Sequence, residues 1–589
     1  MKSLLTEASL ILLPNGYKEG KLYSTVPSNG AGDFTVARAT TATRVNSAGL
    51  VELVPYNLLT YSQTFSNVIW LKIQATISSN IATAPNGTNT ASKLVENTAN
   101  DGHHIYQNAL ANGVNTFSFY AKKGERTFVY AYADSVGQGK CFNLTSGTLG
   151  VNIIAAPLNA TIESVGNDWF RCTITLSIAS ASALRIGLCS ADGTFSYLGN
   201  GTSGAFIWGA QLNQGTSALD YQRTETRLNI PRLDYSLGSC PSILVEPQRT
   251  NLALRSEEFE NATIWTNTIG GTGANPIRTA NAVTSPSGIQ NADTIVFDRG
   301  AGNTITDQSV ISQQITIATT GTYYFSVWIK ATASGDVGKQ VFIRCGNAAA
   351  LQAVTLTANW VRYETTATVT SGSNSFQVGN RGAITNANSV SVDLWGAQLE
   401  AGAYATSYIP TTSATVTRNS DVMSLSNVYT NNLITASGGT WFVELRNNVQ
   451  LVADNSVSNI WLGTSSGGPF SNGTFMLRQG GGNQRTNIWK YTGGVATSLF
   501  ETTSNTSKIS IKWNGTTADI FVNGVKVVDS TSFNFTVMEF LNAFGGRNLF
   551  INSMALFPTP LTDDQLELLT GDSFNTYAEM ASYYNYTLQ

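Results

Sequence analysis

His103 and His104 are the whole histidine complement of these 589 residues, and they are adjacent. On a strand, successive side chains leave opposite faces, so such a pair cannot easily share a metal or relay a proton. The sequence assigns them a surface or polar-groove role. Gly463-Thr464-Ser465-Ser466-Gly467 reproduces the string of a nucleophile elbow. That chemistry needs a histidine base beside the serine, and this part of the chain has none, so the segment reads as a Gly/Ser turn. No phosphate loop, HExxH pair, EF-hand or zinc-ligand spacing occurs, and no cofactor is expected. Aromatic chemistry remains. Trp461, Trp489 and Tyr491, with Arg478, Asn483 and Arg485 around the Gly480-Gly481-Gly482 loop, combine flat rings with amide and guanidinium donors, the equipment of a sugar site. The same residues would also suit contact with a neighbouring subunit.

These residues belong to a chain that repeats itself. Asn57-Leu58-Leu59, followed by Trp70, is answered about 190 residues on by Asn251-Leu252-Ala253, followed by Trp265. Phe117–Lys122 is answered by Phe325–Lys330, Trp169-Phe170-Arg171 by Trp360-Val361-Arg362, and WGAQLNQG at Trp208 by WGAQLEAG at Trp395. A unit this long is a whole domain copied in tandem, because solenoid periods run only roughly 20–50 residues. The divisions that follow are 1–56, a leader and candidate anchor; 57–227, repeat 1; 228–250, a connector; 251–418, repeat 2; 422–560, a third unit; and 561–589, a helical tail. The recurring Trp208/Trp395 and Trp169/Trp360 lie in apolar strand patterns and are assigned to cores.

Short alternating runs such as Thr116–Ala121, Thr173–Ile178 and Tyr323–Ile329, separated by Gly, Asn and Ser, predict an all-β fold of tandem antiparallel β-sandwich (jelly-roll) domains. One short terminal helix is expected where Thr562-Asp563-Asp564-Gln565 has capping-box spacing and Gly571 supplies a stop. Charged residues make up 12% of the chain, about half the usual share, while a normal apolar fraction argues against disorder. A net charge of -3 argues against a nucleic-acid partner, which requires clustered cations. Five cysteines without a CxxC pair suit free buried thiols and folding in a reducing cytoplasm. Neither a signal peptide nor an apolar run of membrane-spanning length, about 20 residues, is present.

Three sets of residues carry a family resemblance. Phe34–Ala39, Ala42–Asn46 and Gly49–Glu52 form the first, Asn229–Tyr235 with Glu246–Leu252 the second, and Ser407-Tyr408-Ile409-Pro410-Thr411 after WGAQLE the third. Over about 1–418 the chain resembles structural and fibre proteins of tailed bacteriophages. The third unit, with Lys508–Gly515, Asp519–Gly524 and Ile551–Phe557, resembles a concanavalin or laminin-G-like lectin domain, with Asn523-Gly524 as a type I′ hairpin turn. The resemblance implies carbohydrate-binding-module-like sandwiches on a virion appendage assembled in the host cytoplasm. It implies other virion proteins and a host-surface glycan as partners, and a homo-oligomer. Calcium is compatible with lectin-like folds, though no spacing marks a site. The concanavalin fold also hosts glycosidases, but their paired carboxylates have no counterpart here; Asp563, Asp564 and Glu567 fall on the terminal helix, where they serve its N-terminus. The expected function is therefore a non-enzymatic tail or head fibre that attaches to host glycans. Capsid or tail decoration is the alternative, and a depolymerising tailspike is less favoured.

Overall fold

The computed structural model describes residues 4–54, 56–109, 113–178, 181–435, 437–446, 457–464, 474–480, 485–492, 495–502, 506–533, 537–546 and 548–571. These residues are β-structured almost throughout, in antiparallel sheets, with one α-helix, Asp563–Thr570. The chain divides into two units: 54–227 with 287–291, and the rest.

The first unit is repeat 1, a sandwich of two six-stranded sheets. One runs in the order Thr148–Ile154, Gln138–Asn143, Phe128–Ala133, Ser182–Cys189, His104–Ala109, Leu71–Ile73. The other runs Asn159–Gly166, Trp169–Ile178, Gly113–Lys122, Gly204–Gln214, Ala91–Glu96, Ala75–Ala82. Alternation places Phe117, Phe119, Ile174, Ile186 and Leu212 in the core between them. Cys141, Cys172 and Cys189 are buried and free. The Cys141 and Cys189 sulfurs are 3.5 Å apart, yet their strands flank Phe128–Ala133. Backbones two strand spacings apart, about 10 Å, lie beyond disulfide reach.

Repeat 2, in the second unit, has two five-stranded sheets with the same strand order as repeat 1 minus its two edge strands, Thr148–Ile154 and Asn159–Gly166. Detail repeats as well as order. Tyr120 pairs with Trp208 beside a register shift after Ser118, and Trp328 pairs with Trp395 beside a shift after Ser326. Tyr120, Trp208 and Tyr221 form an aromatic triad with centroid separations of 5.2, 6.0 and 4.7 Å; Trp328, Trp395 and Tyr408 repeat it at 5.2, 5.4 and 4.6 Å. The motif asparagines do one job twice. Asn57 donates to the carbonyls of Ala210 and Gln222 and accepts from the Leu59 and Leu212 N–H groups. Asn251 does the same with Ala397, Ile409, Ala253 and Leu399. Each closes its domain by pinning the first residues to the last strand.

One assignment changes with the extra strands. Trp169 is 1% exposed, whereas Trp360 is only half-buried. Residue Gly166 of the added strand pairs with Trp169, while Val361–Val369 is itself a sheet edge, so Trp360 keeps an open side instead of the full core position expected.

The C-terminal sandwich draws on the whole length of the second unit. Leu10–Leu12 pairs with Leu549–Phe557, because a short apolar run from the leader cannot bury itself alone. Ser242–Val245 of the connector pairs with that same strand. Phe34–Ala37 pairs with Val422–Ser426 in the opposite, nine-stranded sheet. The segments drawn from sequence as leader and connector are thus strands of this sandwich, and its core includes Leu10, Phe34 and Ile243 beside Trp441, Trp513 and Leu556. Asn523 and Gly524 both have positive φ, 48° and 81°, as a type I′ turn requires. The helix begins with the expected capping box between Thr562 and Gln565. Asp563 turns aside from the helix end to pair with Lys512 and Lys526. No helix among the described residues is long and apolar enough to cross a membrane.

Candidate functional site

The residues that carry the family resemblance converge, and they converge inside the protein. Arg38 from the leader and Arg232 from the connector both bind Asp421, Arg38 at 2.6 Å. Glu246 receives Arg232 at 2.6 Å and Arg418 at 2.8 Å, and also accepts from the Ser407 N–H and hydroxyl. All five charged side chains are 0–5% exposed. Burial pushes the Glu246 carboxyl up, but the Arg418 and Arg232 charges and the Ser407 hydroxyl outweigh it and hold the pKa at about 2. With every charge partnered and no solvent access, this network is a joint that locks leader, connector, repeat 2 and C-terminal sandwich together. A cavity of about 320 Å³ nearby is walled by Thr40, Thr43, Leu53, Pro410 and Thr417. Its two titratable neighbours are already committed, Arg418 to Glu246 and Tyr408 to Ser256 and Glu257.

The histidines are buried too, in place of the surface or groove role expected. His103 is 0% exposed, its ring nitrogens 2.6 and 3.2 Å from the carbonyls of Gln74 and Tyr197. His104 is 5% exposed, and burial, reinforced by the Arg185 charge, lowers its pKa to about 4. Ser465 of the elbow-like string lies outside the described residues. Among the described residues no group of three or more His, Cys, Asp or Glu side chains could hold a metal ion.

The outer face of the nine-stranded sheet brings the aromatic candidates together. Core residues Ile460, Leu477 and Ile488 alternate with outward ones, so Trp461, Met476 and Trp489 stand side by side across Val457–Gly463, Thr474–Gly480 and Arg485–Thr492. Tyr491 joins their cluster. Trp461 and Tyr491 are 7% and 5% exposed, and Trp489 is the one that reaches solvent. Arg478 and Arg485 occupy strand positions, but their side chains, and all of Asn483, lie outside the described residues.

Sequence reasoning missed the polar half of this face. Asn542 pairs with Trp461 from the neighbouring strand Phe540–Phe544 and is 3% exposed. Neither its amide nitrogen nor its oxygen meets a hydrogen-bond partner among the described residues; the same holds for Asn459 Oδ1 and Trp489 Nε1. A buried polar atom left unpaired costs about 1–3 kcal/mol, and native interiors leave few such atoms. A single asparagine in an apolar alternating strand, Phe540-Leu541-Asn542-Ala543, was the available signal. Chemically, the described part of this face offers amide and indole donors, an amide acceptor and aromatic surface.

No protein-family model and no curated protein matches the chain. Similar solved structures include the N-terminal tandem of two CBM22 domains from a Paenibacillus barcinonensis protein, at TM-score 0.18 and 10% identity over 62% of this chain and 99% of that one. An exo-beta-1,3-galactanase from Phanerochaete chrysosporium, with galactose, gives TM-score 0.17 and 10% identity over 55% and 69%. Likeness at that level carries no argument about function, and the site stands on its own geometry.

Proposed function

We propose that the chain is a non-enzymatic appendage protein of a bacteriophage particle that attaches to host-surface glycans through its β-sandwich modules. The observation that carries the reading is the outer face of the C-terminal sandwich, where Trp489 meets solvent and the buried Asn542 amide has both hydrogen-bonding atoms unmet. An amide bonds two neighbouring hydroxyls at once, donating to one and accepting from the other, and an exposed ring further along the face covers the apolar face of another pyranose. The two positions lie three strand spacings apart, about 14 Å, which suits a chain of sugars. Such contacts bind weakly one at a time, so attachment would rely on many copies acting together. A hydrolase needs its two carboxyls open to substrate; Asp293, hydrogen-bonded to Glu260 in repeat 2, is 1% exposed.

Decoration of the particle, with contacts only to other virion proteins, is the second reading. It draws on the joint, which spends the family-like residues on holding modules together. Binding of the full chain to an array of bacterial surface polysaccharides separates the two. The expected result is binding that Trp489→Ala lowers by about tenfold or more without change in melting temperature. Wild-type binding that survives the substitution removes this site, and absence of any glycan binding by a chain present on particles leaves decoration.

A further inference from the structure

The outer face of one sheet in repeat 1 carries a second, differently built arrangement. Tyr106, Arg185 and Tyr132 stand in one row across His104–Ala109, Ser182–Cys189 and Phe128–Ala133, in direct register. All three are partly exposed, and their sequence neighbours Ile105, Ile186 and Ala131 face the core. The Arg185 guanidinium lies 5.5 Å over the Tyr132 ring and is held by Asp134. Its Nε–H is buried and has no acceptor among the described residues.

Repeat 2 supplies the internal control. Its backbone puts Ser312, Gln377 and Arg344 in the same register row, so the scaffold is retained while both aromatic residues and the ion pair are absent. Core positions of the two repeats match closely, Gln107 and Gln313 even making the same bonds to the backbone, to Thr60 and Leu254. A face that differs this much on a core that differs so little is not required by folding.

We infer that this row in repeat 1 is a binding site for neutral hexopyranose chains. The Arg185 charge is already matched by Asp134, so the site has no net charge to offer an acidic glycan. The pair instead reads a diol: guanidinium N–H groups donate to hydroxyl oxygens and the Asp134 carboxylate accepts a hydroxyl proton. Tyr106 and Tyr132, one strand to either side, place rings along the sugar faces. Repeat 2 lacks the site.

The inference extends the glycan-binding reading but uses a different module, so its test runs on the full chain carrying Trp489→Ala, where the C-terminal face is disabled. Maltohexaose, cellohexaose and galactohexaose are titrated by calorimetry or NMR, with a polyuronate as the acidic probe. At least one neutral oligosaccharide should bind, and Tyr106→Ala or Tyr132→Ala should each weaken it about tenfold. Arg344→Ala in repeat 2 should leave binding unchanged, and Tyr132→Phe, which keeps the ring, should restore most of it. Absence of neutral-sugar binding overturns the inference, as does preference for the polyuronate or loss caused equally by Arg344→Ala. None of those outcomes touches the C-terminal face, which is tested with the wild-type tyrosines in place.

Discussion

Repeats 1 and 2 share strand order, a register shift beside a paired tryptophan, an aromatic triad and the asparagine that closes the domain. They part company in four respects. Repeat 1 adds an edge strand to each sheet and an aromatic row on one outer face. Repeat 2 is built into the ion network through Ser407 and Arg418. Repeat 2 also buries a carboxyl, with Asp293 at the position held by Ser92 in repeat 1, each one strand over from the residue before the paired tryptophan. The lesson is that a duplicated core tolerates divergence at its edges and outer faces because those positions answer to neighbours and ligands, while the inner alternation answers only to packing.

The comparison breaks most visibly if the shared core is not shared in energy. Trp208 and Trp395 are 4% and 1% exposed, and truncating a buried tryptophan to alanine costs about 3–5 kcal/mol. Trp208→Ala and Trp395→Ala should therefore destabilise by similar amounts, each loosening its own repeat first. Hydrogen exchange resolved by peptide reads this directly. Loss of protection in the untouched repeat, or costs several kcal/mol apart, would show that the two cores are not equivalent.

Much of this was legible in the sequence, and the reasons are local. Alternation marks strands, Thr562 with Gln565 marks a helix start, and Asn523-Gly524 marks a turn, because each depends on a few adjacent residues. The matched motifs gave the duplication. What stayed hidden depends on distant partners. Nothing in Leu10–Leu12 says that it pairs near residue 555, and no local signal brings Arg38, Arg232, Glu246, Arg418 and Asp421 together. The histidines looked polar and exposed, but a ring that meets backbone carbonyls inside the fold, as His103 does, is readily buried. On the candidate site, the ring-bearing half was readable from residue type. The Asn542 half showed only as one polar residue in an apolar strand, and an amide becomes informative only once its missing partners are known.

The buried Asp293 carboxyl sharpens the comparison through pH. Burial, then the hydrogen bond with Glu260, raises the Asp293 pKa from 3.8 to about 8. Between those values the folded protein holds a proton that the unfolded chain has released. The contribution of this one carboxyl to stability is therefore greatest below about pH 4, declines as pH rises, and levels off above about 8, with a limiting slope of about 1.4 kcal/mol per pH unit. Repeat 1, with serine at this place, should show no such decline. Asp293→Asn should flatten the dependence in repeat 2, as followed by exchange or urea unfolding from pH 5 to 8. A repeat 2 that gains stability over that range would contradict the buried, protonated Asp293.

The smallest expected difference concerns the second tryptophan pair, and it tests what the added strands do. Trp169 and Trp360 make the same bond, each indole N–H donating at 3.1 Å to a carbonyl, Thr83 and Thr284 respectively. Trp169 is closed off beside the extra strand, whereas Trp360 keeps an open side with the Lys330 ammonium 5.2 Å from its ring. Stabilisation follows the apolar area removed from water, and the cation adds only about 0.5–1 kcal/mol at a site with solvent access. Trp169→Ala should thus cost about 1–2 kcal/mol more than Trp360→Ala, a difference visible in denaturant midpoints at constant slope. Deleting the arch 148–166 with a short turn in its place should then bring the two costs together. If they stay apart, the core around Trp169 differs for a reason other than the added strand.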